Sequence, residues 1–472
     1  MISMTQRQGQ GDAVKELETM FKDRLFTEPH ILSLYSHDAS SEVGVKPMAV
    51  IQPVSVDEVV KVIKLAIDYG FKIIPVGSST SLSGNATPKL ENTVIVSLER
   101  MNSIIEISDI DWYARVQPGI KVDELNLELM GYGLQWPVDP ASSKTATVGG
   151  VISNGGGGMR GAKYGPASHW VLGLETVIGT GDVIRVGCKT VKCREGYNLV
   201  QTFIGSEGTL GIITEATLRL APLPESFVGI MARFGDAESL VNAVIRIRRD
   251  KLWPMVTEFI DHIIAQVLGL EPRYYLWIGI DTYSGSEQQI LSKLSSDISL
   301  SGGEIIDKAF TWQEFSKILE PRRMLYSATL KAAFNDYGTD AFVAFEDIAV
   351  PTSKLPEAVK ETQVLGQKYN VNMVIGGHIG DGNLHPTVWA RRSDKDEMER
   401  VMRFFEDVGK LAIRLNGTVS AEHGIGVQKK GLLRDAIGSK NDGNSDHVIN
   451  LMKNIKKVFD PYNIFNPGKI FD

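Results

Sequence analysis

The sequence predicts an α+β protein of two or three domains, and three observations support this prediction. The chain has 472 residues, which is too many for one small hydrophobic core. Patterns typical of helices and strands alternate along its first half, separated by glycine-rich loops. After the proline-rich stop Pro222-Leu223-Pro224 the pattern changes to repeated strand–helix–strand units. We therefore expect a domain boundary at this stop.

The first well-marked helix is predicted to begin after Ser55, because Ser55-Val56-Asp57-Glu58 is a capping box and apolar residues at helical spacing follow it as far as Gly70. The other elements predicted before the stop are strands over 71–76, 93–98, 113–117 and 211–220, a helix over 122–130 and a hairpin over 171–186. Beyond the stop we expect strands over 227–234, 255–260, 274–283, 303–306 and 341–349, with helices over 237–248, after 286 and after 353. Residues 1–42 predict a helical lead-in.

The composition excludes several classes of protein. A hydrophobic content of 43% and a charged content of 23% are typical of a globular chain. The net charge of −7 lacks the basic footprint of a nucleic-acid-binding protein. No run approaches the roughly 18 apolar residues of a membrane span, and the N-terminus lacks the apolar core of a signal peptide. We expect no nucleic-acid partner, no membrane span, and a cytoplasmic location or a peripheral one at the inner membrane face.

The cysteine and glycine contents carry separate information. Cys188 and Cys193 are too few for an iron–sulfur cluster of the four-cysteine type. They could pair across five positions, but in a cytoplasmic protein we expect two reduced thiols. Glycine is abundant, with 46 residues, and it is concentrated in a few loops.

Three of the eight histidines fall in two short segments near the C-terminal end. His378 and His385 flank the turn Gly380-Asp381-Gly382, which can fold them back together although an odd spacing separates them on a straight strand. Asn383 shares a face with His385, and Glu422-His423 follows later in the chain. Two imidazoles and one carboxylate would leave a divalent ion, such as Zn²⁺, an open position for a substrate oxygen. A metal-free acid/base cluster is the alternative.

Three loops rich in small residues lie in the first half, over 77–84, 139–158 and 205–213. The backbone N–H groups of such loops can bind an anion, and small side chains let the backbone approach a flat ligand closely. Neither a Walker loop nor the Gly-x-Gly-x-x-Gly fingerprint is present, so no NAD site is indicated. Each loop alone is more typical of a turn, but the three together indicate a long bound cofactor.

The order of the motifs along the chain is similar to that in a known family. The motifs are the three loops, the His-x6-His segment, the Glu-His pair and the closing Asn466-Pro467-Gly468-Lys469. The chain resembles the FAD-linked oxidoreductases of the vanillyl-alcohol oxidase / p-cresol methylhydroxylase superfamily, and most of all the D-lactate, glycolate and D-2-hydroxyglutarate dehydrogenases. The resemblance implies a bipartite FAD-binding domain of two α/β subdomains over 43–221. It also implies an α+β cap domain over 222–455, with an antiparallel sheet over the flavin and the metal site, and a C-terminal segment over 456–472 that returns to the flavin.

The resemblance also assigns the residues that bind FAD. It places the pyrophosphate at Gly77, Ser78, Ser79, Thr80 and Ser81. It places the adenine, ribose and flavin along Asp139, Ser142, Thr147, Gly149, Gly150 and Asn154, with Ile212, Ile213 and Asn466 farther along. Some relatives bond the flavin covalently through a histidine in the first loop. Thr80 occupies that position here, so non-covalent FAD is expected, and this chain has serine where the family often has glycine.

For the reaction, the resemblance implies oxidation of a D-2-hydroxy acid to the 2-oxo acid, with hydride transfer to flavin N5. His378, His385 and Glu422 would bind the metal, and His423 would act as the general base. Arg322 would bind the substrate carboxylate, although a pair of arginines is otherwise typical of a solvated surface. The further substrate contacts implied are Tyr326, Asn383 and His423.

One departure bears on the substrate. Phe345 stands roughly where hydroxyglutarate enzymes of this type carry a lysine for a second carboxylate. An unpaired carboxylate buried against phenylalanine would be costly, so D-lactate is favoured over D-2-hydroxyglutarate, with glycolate as a further alternative.

Three other interpretations stay open. They are a transferase like alkyl-dihydroxyacetone-phosphate synthase on the same fold, a zinc hydrolase, and a non-catalytic flavin subunit. For a dehydrogenase, the expected electron acceptor is a quinone, an electron-transfer protein or a partner subunit. Assembly into a homodimer is also left open.

Overall fold

The computed structural model describes residues 4–472, and the first three residues of the predicted lead-in lie outside the described residues. The chain forms two compact units. The first comprises the described residues up to Gly157 together with Pro166–Leu223 and Glu422–Asp472. The second comprises Gly158–Gly165 and Pro224–Ala421.

Strands and helices alternate along both units. In chain order the strands are β1 (Leu25–Phe26), β2 (Ala49–Ile51), β3 (Lys72–Val76), β4 (Thr93–Ser97), β5 (Ile104–Ser108), β6 (Tyr113–Val116), β7 (Leu134–Gln135), β8 (Val171–Ile178), β9 (Val183–Gly187), β10 (Gly211–Arg219), β11 (Ala221–Pro222), β12 (Ser226–Phe234), β13 (Val256–Ile260), β14 (Tyr274–Thr282), β15 (Glu304–Ala309), β16 (Ala341–Phe345), β17 (Ile348–Ala349), β18 (Asn372–Gly377) and β19 (Asn383–Arg391). In chain order the helices are α1 (Met4–Phe21), α2 (Pro29–Leu34), α3 (Val56–Tyr69), α4 (Val122–Met130), α5 (Val148–Asn154), α6 (Gly161–Tyr164), α7 (Leu199–Phe203), α8 (Ala237–Arg249), α9 (His262–Val267), α10 (Glu287–Leu300), α11 (Trp312–Ile318), α12 (Glu320–Arg323), α13 (Leu325–Tyr337), α14 (Leu355–Tyr369), α15 (Lys395–Arg414), α16 (Lys430–Ser439) and α17 (Asp446–Phe459). Within residues 4–472, no helix combines the length and the apolar character needed to cross a bilayer.

The first unit is built around two sheets. One has the strand order β1-β2-β4-β3, in which β2, β4 and β3 are parallel and β1 runs antiparallel to β2. The other has the order β5-β6-β10-β8-β9 with antiparallel neighbours throughout. This pair of sheets agrees with the predicted bipartite arrangement.

The helix α3 shows why these elements form where the sequence predicts them. The Ser55 hydroxyl accepts a hydrogen bond from the Glu58 N–H, and Gly70 ends the helix in the left-handed conformation with φ of 71°. Between these ends, Val59, Val62, Ile63 and Ala66 are buried in the core beneath the first sheet. Burial of each larger aliphatic side chain contributes roughly 1.5–3 kcal/mol. The predicted N-cap at Ser55 and the apolar face are confirmed, while the Glu58 carboxylate accepts from the Val54 N–H at 2.9 Å and not from the Ser55 N–H of a complete capping box.

The second unit is a helix–sheet–helix sandwich. Its strand order is β15-β12-β14-β13-β18-β19-β16, with antiparallel neighbours and β17 paired to β19. Side chains of β12 alternate between two cores, with Val228 and Ile230 in one and Phe227 and Met231 in the other. Helices α8, α10, α14 and α15 contribute to the first core, and α9, α11 and α13 contribute to the second. The predicted α+β class and the antiparallel sheet are confirmed.

Three features differ from the predictions. Residues 422–455, expected within the 222–455 domain, belong to the first unit. The strand predicted over 341–349 is interrupted at Glu346-Asp347, so that β16 and β17 are separate. The expectation of two reduced thiols is wrong, because Cys188 and Cys193 form a disulfide, with their Cα atoms 6.1 Å apart and within the range that a disulfide spans.

The segment after Glu422 joins the first unit through the buried carboxylate of Glu207. The two carboxylate oxygens accept hydrogen bonds from Ile425 N–H at 2.6 Å and from Gly426 N–H at 2.8 Å. The side-chain amide of Asn466 donates to the carbonyl oxygens of Asn85 and Glu207, both at 2.8 Å. The bonds to Ile425 and Gly426 hold the start of the 422–455 segment in the first unit, and those of Asn466 hold the C-terminal segment there.

Burial shifts the pKa values of two groups in this region, Glu207 and Lys469. Burial raises the pKa of Glu207 to about 7, against the opposing effect of the two backbone N–H groups and of the Lys469 charge. Burial also lowers the pKa of Lys469 to about 8. The Lys469 ammonium donates to the Thr87 carbonyl oxygen at 2.7 Å.

We predict that Glu207→Gln removes a pH dependence of stability. The folded-state pKa of Glu207 lies above its unfolded value of 4.5, so the folded state retains a proton that the unfolded state loses. Stability from this group is present below pH 4.5 and is lost as the pH rises to about 7. The free energy of unfolding of the wild type, minus that of the variant, should fall by up to about 3 kcal/mol across this window. Urea denaturation of both proteins from pH 5 to pH 8 measures this difference, and parallel curves would contradict the prediction.

Candidate functional site

The hairpin between β18 and β19 brings two imidazoles together in the second unit. His378 follows β18, and the chain turns through Gly380-Asp381-Gly382 before β19 begins at Asn383. Gly382 has φ of 90°, and a Cβ there would lie 2.0 Å from the Val350 carbonyl oxygen, so the turn requires glycine. The rings of His378 and His385 are 5.1 Å apart between centroids and nearly perpendicular. The predicted meeting of the two imidazoles is confirmed.

A carboxylate that the sequence analysis did not identify, that of Glu258, connects this hairpin to Arg322. Glu258, in the middle of β13, is fully buried. One carboxylate oxygen lies 2.6 Å from His378 Nδ1, and the other lies 2.8 Å from Arg322 Nε. The arginine contact has the distance of an ion pair but not the angle of a hydrogen bond. Its sequence signal was a charged residue inside the otherwise apolar or neutral strand Val256–Ile260.

A second buried carboxylate, also missed, positions the other residues of the hairpin. Asp347 lies in the break between β16 and β17 and is fully buried. It accepts hydrogen bonds from Asn383 Nδ2 at 2.8 Å, from the Ser420 hydroxyl at 3.1 Å and from Ala421 N–H at 2.8 Å. The Nδ1 atom of His385 lies 3.9 Å from Asp347 and 3.3 Å from the Glu346 carbonyl oxygen. Asn383 and His385 therefore face the same carboxylate, as their spacing predicts.

These contacts suit the pair of histidines to metal binding. Each Nδ1 faces an oxygen atom of the protein, which is the second-shell arrangement that orients Nε2 of a histidine toward a metal ion. Glu422 and His423 belong to the first unit. Their predicted roles as metal ligand and base stay predictions.

The remaining predicted substrate residue of the second unit, Tyr326, lies on α13. It is 43% exposed and packs edge-to-face against Phe345, with ring centroids 5.7 Å apart. Arg322 ends up buried rather than on a solvated surface, being only 9% exposed. The surface interpretation of the arginine pair is therefore wrong for Arg322.

In the first unit, the loop after β3 has the properties of an anion site. The Ser78 and Ser81 hydroxyl oxygens are buried and have no hydrogen-bond partner within residues 4–472. Ser79 takes the left-handed conformation with φ of 55°. A Cβ on Gly77 would lie 2.1 Å from the Thr147 hydroxyl oxygen. Unpaired buried hydroxyl groups beside a closely approached glycine fit the phosphate oxygens of a dinucleotide such as FAD.

The second predicted FAD segment lies beside this loop. The Thr147 hydroxyl accepts from Gly150 N–H at 3.2 Å and caps α5. A Cβ on Gly149 would lie 2.5 Å from Pro118 Cβ, so glycine is required there. The Asn154 side chain accepts from Asn85 and donates to the Glu422 carbonyl oxygen at 2.7 Å.

The surroundings of the other predicted FAD residues do not by themselves indicate a ligand. Thr80, Asp139 and Ser142 are half-buried in loops. Ile212 and Ile213 are buried on β10, and the Ile212 side chain belongs to the hydrophobic core. Asn466 is buried and bonds within the first unit, as described above. Their roles toward FAD stay predictions.

His423 is held in the first unit by its own backbone. The Ser83 hydroxyl lies 2.8 Å from the His423 carbonyl oxygen and 3.1 Å from that of Gly424. The side chains of His423 and Glu422 are also close, with His423 Nε2 3.7 Å from a Glu422 carboxylate oxygen. Gly424 has φ of 82°, and a Cβ there would lie 2.7 Å from the Glu207 carboxylate.

Comparison with known proteins places this arrangement in a family. Residues 47–187 match the family described as "FAD binding domain", and residues 223–470 match "FAD linked oxidases, C-terminal domain". The glycolate oxidase subunit GlcD of Bacillus subtilis (strain 168) is 35% identical over 446 residues, which cover 93% of this chain and 92% of the relative. A probable mitochondrial D-lactate dehydrogenase of Danio rerio is 32% identical, with 90% and 84% covered. A D-2-hydroxyglutarate dehydrogenase of Stutzerimonas stutzeri (strain A1501) is 31% identical, with 97% and 98% covered.

Solved structures share the fold at lower identity. p-Cresol methylhydroxylase with substrate bound has a TM-score of 0.80 at 18% identity, covering 100% of this chain and 98% of its own. Alkyldihydroxyacetonephosphate synthase has a TM-score of 0.75 at 19% identity, with 97% and 84% covered. The resemblance read from the sequence is confirmed. The chain belongs to the FAD-linked oxidase family, together with the glycolate, D-lactate and D-2-hydroxyglutarate oxidoreductases to which it is similar.

Proposed function

We propose that the protein is an FAD-dependent dehydrogenase that oxidises a D-2-hydroxy acid, with D-lactate favoured, to the 2-oxo acid. The observation that carries this proposal is the buried set of Arg322, Glu258, His378 and His385 in the second unit. A guanidinium beside two imidazoles can meet the carboxylate and the hydroxyl group of one small acid. The relatives named for hydroxy acids support the same class of substrate.

Arg322 binds the substrate carboxylate in this proposal. A guanidinium presents two parallel N–H groups to a carboxylate, and a buried pair of this kind is stronger than one in water. Because Glu258 occupies the Nε side of Arg322, the terminal nitrogens form the part of the fork that meets the substrate.

His378 and His385 would hold a divalent cation, with Zn²⁺ the proposed ion and Glu422 the proposed third ligand. Such a cation supplies Lewis acidity, which lowers the pKa of an alcohol or of water. A ring nitrogen of His423 then accepts the proton of the substrate hydroxyl, since an imidazole titrates near neutral pH. Asn383 orients the substrate from its bonds to Asp347.

The first unit would bind FAD non-covalently through the loop of Gly77, Ser78, Ser79, Thr80 and Ser81 and through Thr147, Gly149 and Asn154. FAD supplies the two-electron acceptor of the oxidation. The final electron acceptor would be a quinone, an electron-transfer protein or a partner subunit. A transferase activity is supported only by a likeness of fold, and the hydrolase alternative does not account for the FAD-binding family match.

Phe345 and Tyr326 favour a monocarboxylate. Their rings pack together and offer no positive charge to a second carboxylate. A dicarboxylate such as D-2-hydroxyglutarate would place its second carboxylate against these two aromatic rings, which is an unfavourable place for a charge.

The direct test is anaerobic reduction of the purified yellow protein. D-Lactate should bleach the flavin absorbance faster than glycolate or D-2-hydroxyglutarate, and L-lactate should not bleach it. Treatment with a chelator should slow the bleaching, and Zn²⁺ should restore it. Persistent colour with all four acids would eliminate the proposed reaction while leaving the family assignment in place.

We predict that His423→Ala keeps the protein yellow and slows its reduction by D-lactate by roughly 10²- to 10⁴-fold, the usual contribution of a general base. Stopped-flow absorbance measures the rate. His30→Ala, which changes an exposed histidine of α2, is the control and should behave as the wild type. A colourless His423→Ala protein would instead assign this residue to flavin retention.

We predict that Phe345→Lys shifts specificity toward the dicarboxylate. A new ammonium group should raise kcat/KM for D-2-hydroxyglutarate relative to D-lactate by roughly tenfold or more, as a charged hydrogen bond does. Phe345→Ala opens the same space without adding charge and should not produce this shift. Equal ratios in both variants would mean that Phe345 does not face the substrate.

A further inference from the structure

We propose that Glu258 is a positioning residue that sets the orientation of both His378 and Arg322, and so aligns the metal site with the carboxylate site. This inference rests on the proposed function. Its geometric basis is independent of that function, since all three residues belong to the second unit and their contacts are direct.

The location of Glu258 is costly unless it has such a role. The residue is fully buried in β13, where its backbone pairs with that of Trp277, which is also fully buried. Removing a carboxylate from water costs several kcal/mol, which only good partners offset. An apolar side chain would fill this place in the sheet without the free-energy cost of desolvating a charge. The carboxylate is therefore explained by its two partners and not by packing.

The contact with His378 controls how the imidazole can bind a metal. With a carboxylate oxygen 2.6 Å from Nδ1, the proton of the neutral ring resides on Nδ1, and the lone pair for a metal is on Nε2. The ring plane is fixed by the same bond. Glu258 thus selects the tautomer and the direction of the proposed metal ligand.

The contact with Arg322 controls how the guanidinium can bind a carboxylate. The second oxygen of Glu258 lies 2.8 Å from Nε and neutralises the buried charge at the inner edge of the guanidinium. Because Arg322 is only 9% exposed, it has little room to reorient in water. One side chain therefore fixes the relative position of the two groups that the proposed function places on the hydroxyl and the carboxylate of one substrate.

The side chain of Glu258 has the length needed to contact both partners. The two oxygens of Glu258 reach two residues from different elements, the segment after β18 and helix α12. Aspartate is one methylene shorter and would retain the charge but lose at least one of the contacts. Glutamine retains the length but loses the charge, and its amide nitrogen would face a donor.

The experiment compares Glu258→Gln and Glu258→Asp with Asp261→Asn as the matched control. Asp261 lies just beyond the same strand and is nearly as buried, and its carboxylate accepts from Ile375 N–H of β18 at 2.7 Å and from two N–H groups of α9. It thus tests disturbance of the same strand pair without contacting either partner of Glu258. Flavin absorbance and thermal unfolding show whether each variant is folded.

The first measurement is Zn²⁺ binding by calorimetry to the chelator-treated holoprotein, with no substrate present. Glu258→Gln should weaken Zn²⁺ binding by about 10- to 100-fold, the usual effect of losing a second-shell carboxylate. In a His378→Ala background the same change should cause no further loss, because the contact through which Glu258 acts is already absent. Asp261→Asn should bind Zn²⁺ as the wild type does.

The second measurement is steady-state oxidation of D-lactate at saturating Zn²⁺. Both Glu258 variants should show a KM raised roughly tenfold, and this effect should be absent in an Arg322→Lys background. Unchanged Zn²⁺ affinity and KM in both Glu258 variants, or equal losses in Asp261→Asn, would overturn the inference. A wild type that binds Zn²⁺ but oxidises no hydroxy acid would refute the proposed function, and the Zn²⁺ titrations would still decide the role of Glu258 toward His378.

Discussion

The second unit depends on a charge that the fold has removed from water. Glu258 lies in the middle of a seven-strand path of the sheet, and its carboxylate is compensated by one imidazole and one guanidinium. If either partner were absent, the carboxylate would be left with part of its desolvation cost unmet. The arrangement is rigid for the same reason, because movement of either partner would leave the buried carboxylate without a compensating contact. A rigid sheet with polar groups at fixed places is a suitable support for chemistry.

Buried carboxylates recur wherever distant segments must meet. Asp347 accepts from Asn383 on β19 and from the backbone at Ala421, and Glu207 accepts from the backbone at Ile425 and Gly426. In both cases the carboxylate accepts hydrogen bonds from backbone N–H groups in the stretch between α15 and α16 that lies outside any helix or strand.

The fold does not by itself determine the reaction. At 18–19% identity the same architecture is found in p-cresol methylhydroxylase and in alkyldihydroxyacetonephosphate synthase. A reaction therefore has to be inferred from individual side chains and not from the architecture. In the proposed function, the unpaired hydroxyl groups of Ser78 and Ser81 would meet the phosphates of FAD, and the aromatic pair of Tyr326 and Phe345 would meet an uncharged part of the substrate.

The sequence by itself determined the local elements and the family. The N-cap at Ser55, the glycines of the turn before Asn383 and the apolar alternation of the strands all act over a few residues, so their effect can be read from neighbouring positions. The tertiary structure decided which distant groups meet. In the sequence, Glu258 and Asp347 are only acidic residues within predicted strands. Their burial and their hydrogen-bond partners depend on residues up to 120 positions away. For the same reason the burial of Arg322 ran against the expectation for a pair of arginines, because a local sequence does not specify what covers it. The disulfide of Cys188 and Cys193 is a local contact, and it ran against an expectation drawn from the expected compartment.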